Sequence, residues 1–132
     1  MEFEQSEQQL TITELITFEN SFSRNIPIDF KEHYLKYNGG YPPYENLKGL
    51  QNIFTINGFY PIKYGRLPIE KIIKDYKNSG IDFIDKIPFA YDNGGNIYLI
   101  SIETNTYGYV YILEVDFLEE KNVNSTSKCK FT

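Results

Sequence analysis

The segment 87–115, IPFAYDNGGNIYLISIETNTYGYVYILEV, limits the fold more than any other part of the chain. Three runs rich in β-branched and aromatic residues, 87–91, 96–102 and 109–115, read as strands. The connections between them are short. Asp92-Asn93-Gly94-Gly95 contains the Asn-Gly pair favoured by type I′ turns, which need positive φ at both central residues. Glu103-Thr-Asn-Thr-Tyr107-Gly108 makes the second connection. Connections this short join antiparallel neighbours, because a parallel crossover needs a dozen residues or more. The segment is therefore expected to form a three-stranded antiparallel meander. Such a meander is stable only when other elements cover it.

Residues 1–81 supply the cover. TITELITFENSF, residues 11–22, opens with a capping-box pair, Thr11 and Glu14, and continues with Leu15, Ile16, Glu19 and Phe22 at helical spacing. IPIDFKEHYLKYNGG, residues 26–40, places a proline at a helix start and an apolar stripe of Phe30, Tyr34 and Tyr37, with Leu35 beside it. The helix is expected to stop at Asn38-Gly39, with a left-handed glycine capping it before Gly40. LPIEKIIKDYKNSG, residues 67–80, gives a third helix with Ile69, Ile72, Ile73 and Tyr76 on its apolar face and Gly80 closing it. Residues 41–49 hold a Pro-Pro pair and read as a surface loop. LQNIFTI, residues 50–56, reads as another strand. The expected fold class is α+β: a single domain over 1–132, with a twisted antiparallel sheet and helices packed on one face. Residues 116–132 read as a polar C-terminal tail. At 132 residues the chain is long enough for one real core.

Charge and residue inventory narrow the chemistry. The net charge is −5, unevenly distributed. Residues 82–120 contain eight acids and one base, Lys86, whereas 24–81 contain nine bases and five acids. Nucleic-acid phosphates need clustered Lys and Arg, so no nucleic-acid partner is expected; a basic protein partner is favoured. No apolar run is long enough for a bilayer, and no secretory leader pattern opens the chain, so no membrane association and a cytoplasmic location are expected. With one His and one Cys, His33 and Cys129, no metal-ligand spacing exists, and no metal or cofactor is expected. No phosphate loop and no serine elbow are found. Asp92 and Glu103 are the carboxylates that a hydrolase reading would use. For Asp92 the alternative is a local hydrogen bond that fixes the following turn.

Two segments carrying Asn-Gly-Gly also resemble a known family. IPIDFKEHYLKYNGG resembles the second-helix signature of the SUKH superfamily, the Smi/Knr-like proteins, through Ile26, Pro27, Phe30, Leu35, Tyr37, Asn38, Gly39 and Gly40. IPFAYDNGGNIYLISIETNTYGYVYIL resembles its second signature, through Pro88, Phe89, Ala90, Asp92, Gly94, Gly95 and Asn96, then Gly108, Val110 and Tyr111. Glu19 falls where that family often has an acid. The resemblance spans about residues 11–115. The chain departs from the pattern in having no Trp near the last strand and no closing helix of Ser-Phe-x-x-Phe-Leu character.

The resemblance implies a non-enzymatic bacterial immunity protein. Such a protein binds a cognate polymorphic toxin, often a nuclease, and blocks its active or substrate-binding face. The alternative is a non-catalytic scaffold or regulator of cell-wall synthesis. On the immunity reading the expected partner is a basic protein toxin, and a monomer is expected. Tyrosine offers rigid contact area at low entropic cost, so the expected contact residues are Tyr41, Tyr44, Asp92, Asn93, Asn96, Glu103 and Tyr107. Asn38, Gly39, Gly40, Gly94 and Gly95 are expected to shape the turns that present them.

Overall fold

A computed structural model describes residues 4–42, 56–114 and 124–125 of the chain. The elements run α1 (Ile12–Asn20), α2 (Ile28–Lys36), β1 (Gly58–Phe59), α3 (Ile69–Asn78), β2 (Lys86–Tyr91), β3 (Ile97–Ser101), a 3-10 turn (Thr104–Thr106), β4 (Val110–Leu113) and β5 (Asn124–Ser125). The strands form one antiparallel sheet in the order β1-β2-β3-β4-β5. This is the α+β class expected, with the meander in place. Of the expected strand at 50–56 only Ile56 is described, and it lies outside the strands; the rest of that strand, residues 43–49 of the expected loop with Tyr44, and the tail outside 124–125 lie outside the described residues.

Local chemistry explains the helix ends. Thr11 Oγ1 accepts from the Glu14 amide at 3.1 Å, and the Glu14 carboxylate accepts from the Thr11 amide at 3.0 Å. Two orphan donors of the first turn are thus satisfied reciprocally. Leu15 and Phe18 form the buried face of α1. Ile16, expected on that face, is exposed, because the helical period points it away from Leu15 and Phe18. At the end of α3, Gly80 takes φ +91°. Its amide donates to the Lys77 carbonyl and the next amide, Ile81, to that of Tyr76. This is the Schellman arrangement that a glycine permits.

The first Asn-Gly-Gly does something other than cap a helix. Helix α2 ends at Lys36, and its cap residue Tyr37 is already extended. Gly39 and Gly40 have positive φ, but they lie in a stretch that adds itself to the sheet edge. Gly40 exchanges two backbone hydrogen bonds with Phe59, at 2.9 and 3.1 Å, and Tyr41 exchanges two with Glu4, at 2.8 and 2.9 Å. A Cβ at Gly40 would stand 2.5 Å from the Glu4 carbonyl oxygen, and one at Gly39 2.8 Å from the Pro61 nitrogen. The glycines are there because three backbones pass too close for a side chain.

Asn38 holds this crossing together. It is 2% exposed. Its Nδ2 donates to the Gln8 and Ile62 carbonyls, both at 2.9 Å, and its Oδ1 accepts from the Ile62 amide at 2.7 Å. One amide side chain thereby replaces a missing stretch of sheet between the N-terminal segment, the end of α2 and the chain after β1.

The core lies between the helices and the sheet. Phe30 and Tyr34 of α2 are fully buried and stacked, with ring centroids 4.6 Å apart, and Phe30 meets Phe89 of β2 edge to face. Burying a ring of this size is worth about 2–3 kcal/mol. Phe89 is the extra residue of a bulge in β2 between Pro88 and Ala90. Its carbonyl accepts from the Tyr60 amide at 2.9 Å and the Tyr34 hydroxyl at 3.3 Å, so the bulge is bonded into the core. All five residues of β3 are buried. Side chains alternate along a strand, so both faces of the sheet are covered at its centre.

Candidate functional site

The meander places the expected contact residues at its two ends. The loop joining β2 to β3 carries Asp92, Asn93, Gly94, Gly95 and Asn96. The loop joining β4 to β3 carries Glu103 and Tyr107, at the opposite end of β3. Tyr41 belongs with the first group, because its strand-like segment runs alongside β1, and β1 pairs with β2.

The β2–β3 loop differs from the expected type I′ turn. Asn93 and Gly94 do not adopt positive φ; only Gly95 does, at +85°. The Gly95 amide donates to the Asp92 carbonyl at 3.2 Å, and Asp92 and Asn96 close the hairpin through a 3.1 Å backbone bond. This is a three-residue loop ending in a left-handed glycine, the next commonest hairpin connection. Asp92 selects it. Its Oδ1 accepts from the Gly94 and Asn96 amides at 2.9 and 3.0 Å. Its Oδ2 accepts from Asn96 Nδ2 at 3.1 Å and the Tyr98 hydroxyl at 3.3 Å. The carboxylate is therefore the internal strut of the loop. Asn93, Gly94 and Gly95 form its exposed tip.

Beside this loop lies a cleft of about 400 Å³. The described residues that line it include Glu7, Tyr41, Tyr60, Arg66, Leu67, Tyr91 and Gly95. Tyr60 and Tyr91 pack with ring centroids 5.0 Å apart. Burial pushes the Tyr60 hydroxyl well above the usual phenol range. The negative charge of Asp92 adds to that shift. Burial and the neighbouring Tyr41 hydroxyl raise Tyr91 as well. Tyr60 and Tyr91 therefore stay protonated at neutral pH. The Glu7 carboxylate lies across Gly65, where a Cβ would come within 2.9 Å of its Oε2.

The other end of the sheet is tied down rather than hollow. The Tyr107 hydroxyl donates to the Asn25 carbonyl at 2.9 Å, while 44% of the residue stays exposed. Arg24 donates to Thr104 Oγ1 at 2.6 Å and pairs with Asp85 at 3.7 Å. Glu103 is half-buried in the same loop, its amide donating to Ser101 Oγ. Asp92 and Glu103, the carboxylates of the hydrolase reading, therefore sit at opposite ends of β3.

Two further groups have displaced ionisation. Lys63, together with the Thr11 amide and the Tyr64 hydroxyl, lowers Glu14 to about 2. Burial among Tyr34, Tyr37 and Phe59 lowers His33 to about 4, with Lys36 adding to the effect. Glu19 joins α1 to α2. Burial opposes its charge, but the Ile26 amide at 2.8 Å and the Lys31 ammonium at 3.0 Å outweigh it and hold the carboxyl below its usual range. Among the described residues, no group of three or more His, Cys, Asp or Glu side chains could hold a metal ion. Among them, too, no helix is long and apolar enough to cross a membrane.

Sequence reasoning missed Glu7, Tyr60, Arg66, Leu67 and Tyr91. Their positions are scattered along the chain, and only the pairing of Glu4 with Tyr41 and of β1 with β2 gathers them. The Gly-rich spacing around residues 39–40, 58 and 65 was the one available signal that backbones pass closely here.

An antiparallel sheet faced by helices defines an α+β domain. The chain belongs to the SMI1 / KNR4 family (SUKH-1), whose profile matches residues 9–128. No curated protein and no solved structure matches it.

Proposed function

We propose that this chain is an immunity protein of the SUKH type. It binds a cognate toxin, a basic protein such as a nuclease, and covers the face that the toxin uses on its substrate, catalysing nothing itself. Family membership across residues 9–128 carries this reading. The geometry supports it in two ways. Tyr41 and Tyr107 are exposed but anchored, Tyr41 by backbone pairing with Glu4 and Tyr107 through its hydroxyl. Anchored aromatic side chains give contact area with little ordering cost. The tip Asn93–Gly95 is held out by Asp92, so it meets a partner already ordered.

In this reading Tyr41, Asn93, Asn96, Glu103 and Tyr107 contact the toxin, together with Tyr44, which lies outside the described residues. Asp92 shapes the tip and adds negative potential. The site needs no cofactor, and the protein acts in the cytoplasm as a monomer.

The test is co-expression with the product of the adjacent gene. The expected result is rescue of growth and a complex that survives gel filtration. Glu103→Lys should slow association more at low than at high salt, since screening removes long-range attraction. If the neighbouring product is harmless alone and no complex forms, the reading fails.

A further inference from the structure

We propose that Asn93 is a site of spontaneous deamidation, and that the hold of Asp92 on the Gly94 amide sets its rate. This chemistry belongs to the chain alone and does not depend on the immunity reading.

The chain has three Asn-Gly pairs, at 38–39, 57–58 and 93–94. Asparagine is a thermolabile residue, and a following glycine leaves its backbone nitrogen unshielded by any side chain. The glycine nitrogen attacks the side-chain carbon Cγ. A new N–Cγ bond closes a succinimide ring, the Cγ–Nδ2 bond breaks, and the glycine amide proton leaves with Nδ2 as ammonia. Water then opens the ring at either carbonyl, giving aspartate or isoaspartate. No oxidant or reductant takes part.

The structure separates the three pairs. Asn38 is 2% exposed, and its side-chain amide makes three hydrogen bonds, so its Cγ is shut off from attack. Asn57 is exposed, but Gly58 is buried in β1. Gly58 pairs with Tyr91 on one side, and Phe59 exchanges two backbone bonds with Gly40 on the other. Closing the ring requires the planar Asn-Gly peptide unit to turn as a whole, and the sheet holds that unit in place. At 93–94 both residues are exposed at a hairpin tip. A Cβ at Gly94 would meet only two side-chain atoms, at 3.5 and 3.8 Å, so the surroundings are open. One restraint remains: Asp92 Oδ1 accepts from the Gly94 amide at 2.9 Å, which keeps the nucleophile engaged until that bond opens.

The product changes the loop that makes it. Aspartate at position 93 sets a second carboxylate beside Asp92. Isoaspartate adds a methylene to the main chain between Asp92 and the Gly94 and Asn96 amides it holds. The face presented at this tip therefore alters as the molecule ages.

The test is to incubate the full chain in mildly alkaline buffer beside a capped peptide of residues 91–97, and to follow Asn, Asp and isoaspartate at each pair by peptide mapping. Position 93 should convert about tenfold or more slowly than in the free peptide, the brake expected from a hydrogen bond to a charged group. Asn38 should convert at no more than about a thousandth of its own free-peptide rate, the share of time a stable domain spends unfolded. Asn57 should keep its amide while position 93 is lost. Asp92→Ala should bring position 93 up to the rate of a peptide with the same substitution and leave Asn38 intact, which shows that the fold has survived. Gly94→Ala, which the open surroundings admit, should slow the conversion with the fold unchanged. Conversion at Asn38 or Asn57 as fast as at Asn93, an intact Asn93 after the peptide has turned over many times, or an unaltered rate at 93 in Asp92→Ala would each overturn the proposal.

Discussion

Replacing Asn38 with Ala tests whether one buried amide holds the crossing of three segments. The side chain makes three hydrogen bonds, two of them to the backbone of Ile62. Ile62 is 1% exposed, so neither its amide nor its carbonyl can turn to water. A buried polar group left without a partner costs about 1–3 kcal/mol. Gln8 lies in an exposed segment and rehydrates at little cost. Two stranded groups plus the lost packing then give a loss of about 3–5 kcal/mol. A domain of this kind holds about 5–15 kcal/mol in total. In urea, with a slope of about 1.5 kcal/mol/M, the midpoint should fall by about 2–3 M while the slope stays constant. Asn93→Ala, at the exposed hairpin tip, is the control and should change stability by less than about 0.5 kcal/mol. A loss below about 1 kcal/mol in Asn38→Ala, with no structural change at Ile62, would refute the argument that this amide carries the junction.

Gly40→Ala should cost more than about 2 kcal/mol in the same assay, since the residue has φ +103° and its new methyl would strike the Glu4 carbonyl; a neutral outcome would mean that the N-terminal pairing is not formed in solution. The imidazole of His33, depressed to about 4 by burial, should make the fold lose stability as pH falls from about 6.5 to 4, because the unfolded chain takes up the proton first. His33→Phe should flatten that limb, and NMR titration of this single imidazole reads its pKa directly. Asp92→Ala should destabilise the hairpin by about 1–3 kcal/mol through loss of two bonds to backbone amides, and hydrogen exchange at Gly94 and Asn96 should quicken.

The parts legible in the sequence were those governed by near neighbours. The Thr11–Glu14 box, the Gly80 closure and the two hairpin connections each depend on residues within a few positions, and each appears in the structure. The first Asn-Gly-Gly was misread because its glycines answer to Pro61 and Glu4, which sequence spacing does not bring near. The second was read as the right kind of connection with the wrong turn, because the Asp92 carboxylate bonds the amides of Gly94 and Asn96 and moves the left-handed residue to Gly95. Of the expected contact residues, Tyr41 and the 92–96 loop do gather at one place, but Glu103 and Tyr107 belong to the other end of the sheet. The cleft itself could not be read in advance, since its described walls come from five stretches of chain.

Within the 92–96 hairpin, the strut and the tip are different residues. Asp92 grips main-chain groups, which every amino acid other than proline supplies. At position 94 a Cβ would meet nothing nearer than 3.5 Å, and Asn93 already points into water. Positions 93 and 94 can therefore be exchanged without remaking the loop that bears them. On the immunity reading proposed above, a lineage confronted by changing adversaries could retune its grip at those two places while the scaffold stays as it is.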